Sequence, residues 1–468
     1  MRKIYWSMAM TAALLTGCTM TPKYERPAAP VAGTWPASVT ATNGVSTVAA
    51  ELAWQDFFQD ARLKQVIGLA LANNRDLRVA ALNVEISRAQ YRIQRADLLP
   101  TADAGAAFTR QRTAATAFSG PTIGNQYSVS GVASYELDLF GRVRSLKSQA
   151  LERFFATEEA RRSAHIALIG EVALQYLNHQ SLMEQVKLAE QTLKTVTDSL
   201  NLTQKRFELG DTSQLDVRSA ESLVQRSRAS LAAYQQQLAQ AENALTFLVG
   251  APLPADLPPQ TPLNDKGAMA EVSAGMPADL LQRRPDILAA EHELKAANAN
   301  IGAARAAFFP RILLTAGGGT ASAQLSDLFT GPSMAWNFSP QITVPIFEGG
   351  RNRANLDVAK LSKEVEVAQY EKAIQTTFRE VADALIVKTW IDEQMSAGQA
   401  LVTAQQQRFT LADARYKRGV DSYLAVLTAQ QDLYAAQQTL INVRFVRLAN
   451  QVTLYRVLGG GWSEPKKD

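Results

Sequence analysis

Tyr135-Glu-Leu-Asp-Leu-Phe-Gly-Arg-Val-Arg144 changes its periodicity in mid-stretch. Up to Gly141 apolar and polar residues alternate as on a strand; beyond it a proline-free helical pattern lasts to Leu209. The hand-over recurs about 209 residues later, where Ile342-Thr-Val-Pro-Ile-Phe-Glu-Gly-Gly-Arg351 enters a second long helical run. Two strands delivered directly into two very long helices predict the organisation of everything around them.

Working outward, helical periodicity begins near Asp60 and runs to Leu99, where Pro100 ends it. Strands are expected at 101–112 and 126–139, separated by the Gly-Pro-rich loop Ser119–Asn125. In the second, Tyr127, Val129, Tyr135 and Leu137 fall on one face, and Gln126, Ser128, Ser130, Glu136 and Asp138 on the other. The long helix at 142–209 closes at Leu209-Gly-Asp211, and another at 213–249 ends at Gly250. A proline-rich linker at 251–276 follows, and the plan repeats. Its second round has a helix at 277–308, strands at 311–322 and 335–346, a long helix at 351–418 and a last helix at 422–458.

The repetition is visible residue by residue. Pro100 echoes Pro310, Arg206-Phe-Glu-Leu-Gly210 echoes Arg415-Tyr-Lys-Arg-Gly419, and Gly250 echoes Gly459. Residues 61–250 and 277–459 are therefore two copies of one unit, a tandem duplication rather than a solenoid. Residues 460–468 form a C-terminal tail.

The start of the chain reads as an export leader. Arg2-Lys3 precedes the apolar stretch Ile4–Leu15, too short to span a bilayer, and Leu15-Thr-Gly-Cys18 has the pattern of a bacterial lipoprotein signal. Residues 1–17 are expected to be removed and Cys18, the single cysteine, to be acylated, palmitate included. Thr19, in place of Asp, suits delivery to the outer membrane. Residues 18–60 then form a Pro-, Ala- and Thr-rich arm expected to pack along the body through Trp35, Trp54 and Phe57-Phe58.

With 468 residues, 47% of them apolar, the chain has material for more than one core. Its net charge of +4 is spread among interspersed acids and bases, which describes solvated helix surfaces rather than a nucleic-acid site. No run of eighteen apolar residues follows the leader, so any membrane crossing must be made by strands.

Lengths constrain the architecture. A helix of about 68 residues would extend roughly 100 Å, which points to long helices lying side by side, with each pair of shorter helices stacked head to tail along a long one. The linker and the arm would then collect as a belt at the junction. Only four strands are expected per chain, while closed membrane barrels begin at about eight, and an open sheet in lipid leaves unsatisfied edges. The chain must therefore oligomerise, and a trimer would close a barrel of twelve strands. Trp336, Phe338, Ile342, Val344 and Ile346 on one face of the fourth strand, against Asn337, Ser339, Gln341 and Thr343, suit a wall with lipid outside and water inside.

The lipoprotein signal, the Tyr135–Arg142 hand-over, Arg283-Arg-Pro-Asp-Ile287, Ala296–Pro310 and Arg415-Tyr-Lys-Arg-Gly-Val-Asp421 together resemble the outer-membrane efflux (TolC-like) family, lipoprotein branch of OprM/MtrE type. The resemblance covers the whole mature chain. It implies a fold that is mainly α with a membrane β-barrel: a homotrimer with a twelve-stranded barrel in the outer membrane and a periplasmic α-helical barrel. It implies partners as well, a periplasmic membrane-fusion adaptor and an inner-membrane transporter of the resistance-nodulation-division class, which would make the chain the exit duct of a tripartite multidrug efflux pump.

Candidate functional residues gather at the two turns far from the strands. Arg206, Asp211 and Asp216 stand at the first, and Arg415, Tyr416 and Asp421 at the second. Ordinary capping and solvated turn charges account for part of this set. The resemblance implies that Arg415, Tyr416 and Asp421 form a periplasmic gate held by salt links and hydrogen bonds, with Asp211, Asp216 and Arg206 around it. Gly141, Arg142, Gly349, Gly350 and Arg351 are expected to mark the seam where barrel becomes helical tube.

No catalytic constellation is present, and the chain is not expected to be an enzyme. The three histidines lack ligand spacing, Gly317-Gly-Gly319 is not a phosphate loop, and the nine methionines do not cluster for a soft metal; no metal or cofactor is expected beyond the lipid on Cys18. Two alternatives to drug efflux stay open here: an exit duct for type I protein secretion, and a non-transporting periplasmic coiled-coil adaptor or scaffold. The latter has no use for strands with an outward apolar face.

Overall fold

The computed structural model describes residues 19–35, 49–114, 120–260, 262–263, 269–272 and 283–462. Cys18, the leader and the last six residues lie outside these. In chain order the main elements are α1 (Ala61–Asn73), α2 (Arg75–Ala96), β1 (Thr101–Thr113), β2 (Thr122–Leu137), α3 (Arg142–Glu208) and α4 (Gln214–Val249). The second half contributes α5 (Pro285–Ala306), β3 (Arg311–Ser322), β4 (Met334–Thr343), α6 (Arg351–Lys417) and α7 (Tyr423–Val457). Each long helix has 67 residues.

Three boundaries differ from the sequence expectation, each for a local reason. The helix expected over 60–99 is two helices, broken at Asn74. The Asn74 side chain accepts from the Leu77 N–H as a cap and donates to the Leu248 carbonyl, a tertiary bond that a sequence window does not contain. β2 starts at Thr122, inside the expected loop, because Thr113 and Thr122 pair through backbone and hydroxyls. β4 ends at Thr343 rather than 346, just before Val344-Pro345, where proline withdraws a ladder donor. The helix expected from 277 is described from Pro285 onward.

The chain divides into two compact units. One comprises residues 1–29, 82–158 and 289–372; the other comprises 30–81, 159–288 and 373–468.

In the first unit the strands form one antiparallel sheet in the order β1-β2-β3-β4, so β1 and β4 are both bare edges. Residues paired across strands share a face, which makes one face Ala104, Val129, Tyr127, Phe338 and Ile342 and the other Asp103, Ser128, Ser130, Asn337 and Gln341. Among the described residues nothing covers the apolar face: Trp336 is 80% and Phe338 59% exposed. Glycines in β3 let the sheet pack closely, since a Cβ on Gly319 would lie 2.3 Å from the Val129 carbonyl oxygen. The arm joins this unit through α5 and the start of α3. Asn298 donates to the Pro22 carbonyl at 2.8 Å, Arg305 to that of Met20 at 3.3 Å, and Thr21 meets Ser145 at 3.0 Å.

The second unit holds the main core. Phe57, Phe58, Ile67, Val172 and Tyr455 are fully or almost fully buried, and Phe57 stacks on Tyr455 with centroids 3.9 Å apart. The linker is fastened to this core by the Ala270 N–H donating to the Phe57 carbonyl. Trp35 stacks on Phe378 at 4.9 Å. Among the described residues no helix is long and apolar enough to cross a membrane.

Candidate functional site

The far turns are built alike in the two copies. After α3, Gly210 takes φ of 80°, and the Asp211 N–H reaches back to the Arg206 carbonyl at 2.8 Å. After α6, Gly419 takes φ of 75°, and the Val420 N–H reaches the Arg415 carbonyl at 3.0 Å. This is the closure expected of a helix ending in a left-handed glycine, and it leaves the flanking side chains free to face one another.

Four of the six turn candidates contact one another within the chain. Arg415 grips Asp421 in a two-pronged pair, 2.6 Å from Nε and 2.9 Å from Nη2. The hydrogen bond from Arg415 holds the Asp421 carboxyl below its ordinary range, and Asp421 raises the guanidinium in return. Arg206, from the other copy, lies 4.6 Å above the ring of Tyr416 and donates to the Tyr416 carbonyl at 3.3 Å. Tyr416 is 7% exposed, and its hydroxyl is buried without a hydrogen-bond partner among the described residues.

The two remaining candidates are placed differently. Asp216 accepts from the hydroxyls of Thr212 and Ser213 while Ser213 accepts from its N–H, a complete capping box at the start of α4. Burial pushes its carboxyl up, and the Ser213 and Thr212 hydrogen bonds outweigh this to leave it lowered. Asp211 is exposed, and among the described residues its carboxylate joins neither arginine pair. The structure adds Tyr423, buried 5.3 Å from the Tyr416 ring and sharing a hydrogen bond with Ser199. Its position directly after the Asp421-Ser422 turn was the available signal.

At the seam, Gly141 takes φ of 74°, and Gly349 and Gly350 take 58° and 87°, a region that side chains with a Cβ rarely enter. Arg142 forms two 2.9 Å bonds to Glu136, which also receives Arg311 at 2.7 Å. Asp138 caps α3 by accepting the N–H groups of Val143 and Arg144 and the Arg144 side chain. Arg351 pairs with Glu348, and Phe140 stacks on Phe309 at 4.7 Å. Glu136 at the end of β2 and Asp138 just after it thus lock the first two arginines of the helix. Sequence reading placed Glu136 and Asp138 only on a polar face; their spacing of two, echoed by Arg142 and Arg144, was the missed signal.

The histidines lie apart, His292 beside Glu152, His179 beside Gln260 and His165 against Trp462. Among the described residues no group of His, Cys, Asp and Glu is placed to hold a metal ion.

Comparison with known proteins gives a consistent result. The family profile described as outer membrane efflux protein matches residues 66–251 and 276–460. A probable efflux pump outer membrane protein of Pseudomonas putida, TtgC, is 50% identical over 471 residues, covering 99% of this chain and 97% of that one. The outer membrane protein OprJ of Pseudomonas aeruginosa is 44% identical, with 98% and 96% covered. Among solved structures, the open state of the MtrE outer membrane channel of Neisseria gonorrhoeae superposes with a TM-score of 0.87 at 40% identity, over 96% of this chain and all of that one.

Proposed function

The chain belongs to the outer membrane efflux protein family, and from that premise we propose that three copies close one twelve-stranded barrel as the exit duct of a drug efflux pump. It is an outer-membrane channel, with strands in the bilayer and helices in the periplasm. The observation that carries the assembly is the four-stranded sheet with two bare edges and an uncovered apolar face. In hydrocarbon an unpaired strand edge costs several kcal/mol per polar group, so the edges must be paired by other copies. Three copies supply twelve strands, within the range that encloses a water-filled lumen.

A periplasmic membrane-fusion adaptor and an inner-membrane resistance-nodulation-division transporter would feed this duct, and Cys18 would carry a lipid that holds the arm to the membrane. Cargo choice would rest with the transporter, because small uncharged polar residues such as Ser128, Ser130 and Asn337 make up most of the polar residues on the lumen face, with Asp103 among its few charges. The turns form the resting closure. Arg415 and Asp421 hold each other across one turn and Arg206 holds Tyr416 across the two copies, so opening requires these links to be exchanged.

Heat-resistant trimers in outer-membrane fractions are the expected result for assembly; a monomer released by mild salt would overturn it. Single-channel conductance in a planar bilayer is expected to rise in Asp421→Ala and in Arg415→Ala. Unchanged conductance in both removes the pair from the gate.

A further inference from the structure

The apolar face of the sheet does not stay apolar to its outer end. Along β1, alternate residues Ala102, Ala104, Ala106 and Phe108 share the face of Val129 and Tyr127, and the next two in the same row are Arg110 and Arg112. They pair with Asn125 and Ile123, so nothing acidic lies opposite them. Both arginines are exposed, and among the described residues neither guanidinium has a carboxylate or hydrogen-bond partner.

Their depth follows from strand geometry. Helices α2 and α3 join the sheet at Thr101 and Leu137, so the β1–β2 hairpin tip is at the opposite, outer end. Phe108 packs on Tyr127 at 4.7 Å, a pair of the kind that forms the aromatic girdle at the edge of the hydrocarbon. Arg110 and Arg112 stand two and four residues beyond it. At about 3.4 Å per residue and a tilt of about 40°, they lie roughly 5 and 10 Å further out. That is headgroup depth, on the lipid side of the wall. A charge in the same row within the hydrocarbon would be strongly disfavoured, and the penalty falls away at the interface. The interface tolerates these arginines, and something anionic there would complement them.

We infer that Arg110 and Arg112 form a binding site for the phosphate groups of the phosphorylated glycolipid in the outer leaflet. Two guanidiniums on one row, about 7 Å apart along the strand, each offer a planar fork of donors to a phosphate. The inference rests on the barrel reading above, because only in a membrane-inserted barrel does this row face lipid.

The test uses the purified full-length trimer in detergent, titrated with fluorescent lipid A carrying two phosphates, with its dephosphorylated form and with phosphatidylglycerol. The two-phosphate lipid is expected to bind about tenfold tighter than either of the others. Arg110→Gln/Arg112→Gln should remove that preference, while Arg228→Gln on the α4 surface leaves it intact. Each single variant, expected to lose about threefold, serves if the double variant fails to trimerise. Equal binding of all three lipids by the unaltered channel overturns the inference, and so does a double variant that keeps its preference. Planar-bilayer conductance on the same preparations separates this failure from failure of the barrel itself: a conducting channel without lipid preference refutes only the lipid site.

Discussion

Glu291→Ala is expected to release the arm from its unit. The Glu291 side chain is only 3% exposed, yet it accepts from Arg26, Tyr24 and Lys295, with Arg26 Nε at 3.1 Å and Lys295 Nζ at 3.1 Å. Burial alone would raise its pKa, but the hydrogen bonds from Arg26 and Lys295 outweigh it and hold the carboxyl below its ordinary range. Hydrogen bonds to a charged group contribute about 1.5–3 kcal/mol each, but Arg26 is 44% exposed and regains water when its partner is lost. The other anchors, at Met20, Thr21 and Pro22, are worth about 1 kcal/mol each and stay. A net loss of about 3 kcal/mol in local opening follows, roughly a hundredfold in the open population. The assay is limited trypsin digestion after Lys23 on the native trimer, with cleavage expected to speed up by that factor. An unchanged cleavage rate would falsify the claim that Glu291 anchors the arm. The pH dependence has a definite sign: a carboxyl lowered by folding contributes fully above its unfolded value of about 4.3, and the contribution is lost as pH falls through the folded value. Cleavage by an acid protease should therefore accelerate below about pH 4 in the natural protein and stay flat in the variant.

Three further outcomes are expected. Phe57→Ala removes a fully buried ring stacked on Tyr455 and should destabilise the second unit by about 3–5 kcal/mol, read as a drop in midpoint by guanidinium titration. Gly319→Ala places a methyl against the Val129 carbonyl and should cost about 1–3 kcal/mol, read as trimers that dissociate at a lower temperature in gel-shift heating; an unshifted transition refutes close strand packing there. Ser213→Ala breaks the capping box of α4, and about 1 kcal/mol should appear as a roughly fivefold faster amide exchange over its first turn, leaving α7 unaffected.

The strands and long helices were legible because each is governed by local period: the alternation from Gln126 to Asp138 and the glycines at 141 and 349–350 needed no distant partner. The break at Asn74 was hidden because its cause is the Leu248 carbonyl, 174 residues away in the chain. β1 shows less alternation in the sequence than β2 because one of its rows is built of Ala102, Ala104 and Ala106, too small to produce contrast. At the turns, the identity of the arginines and Asp421 was readable, but their pairing was not. Asp216 carries the same charge as Asp421, yet Ser213 three residues earlier turns it into a cap. Charge alone did not separate the two roles; the neighbouring hydroxyl did.

The bare edges of the sheet have a genetic consequence. A ring closed by pairing β4 of one copy with β1 of the next has no spare interface, so every subunit is a required link in a closed heterologous cycle. A chain that folds but carries a blocked gate would still be admitted. In a cell making equal amounts of blocked and intact chains, random mixing leaves only about one ring in eight wholly intact. Substitutions that spare the strand edges and damage the turns should therefore be dominant over the natural allele, whereas substitutions at the edges should be recessive.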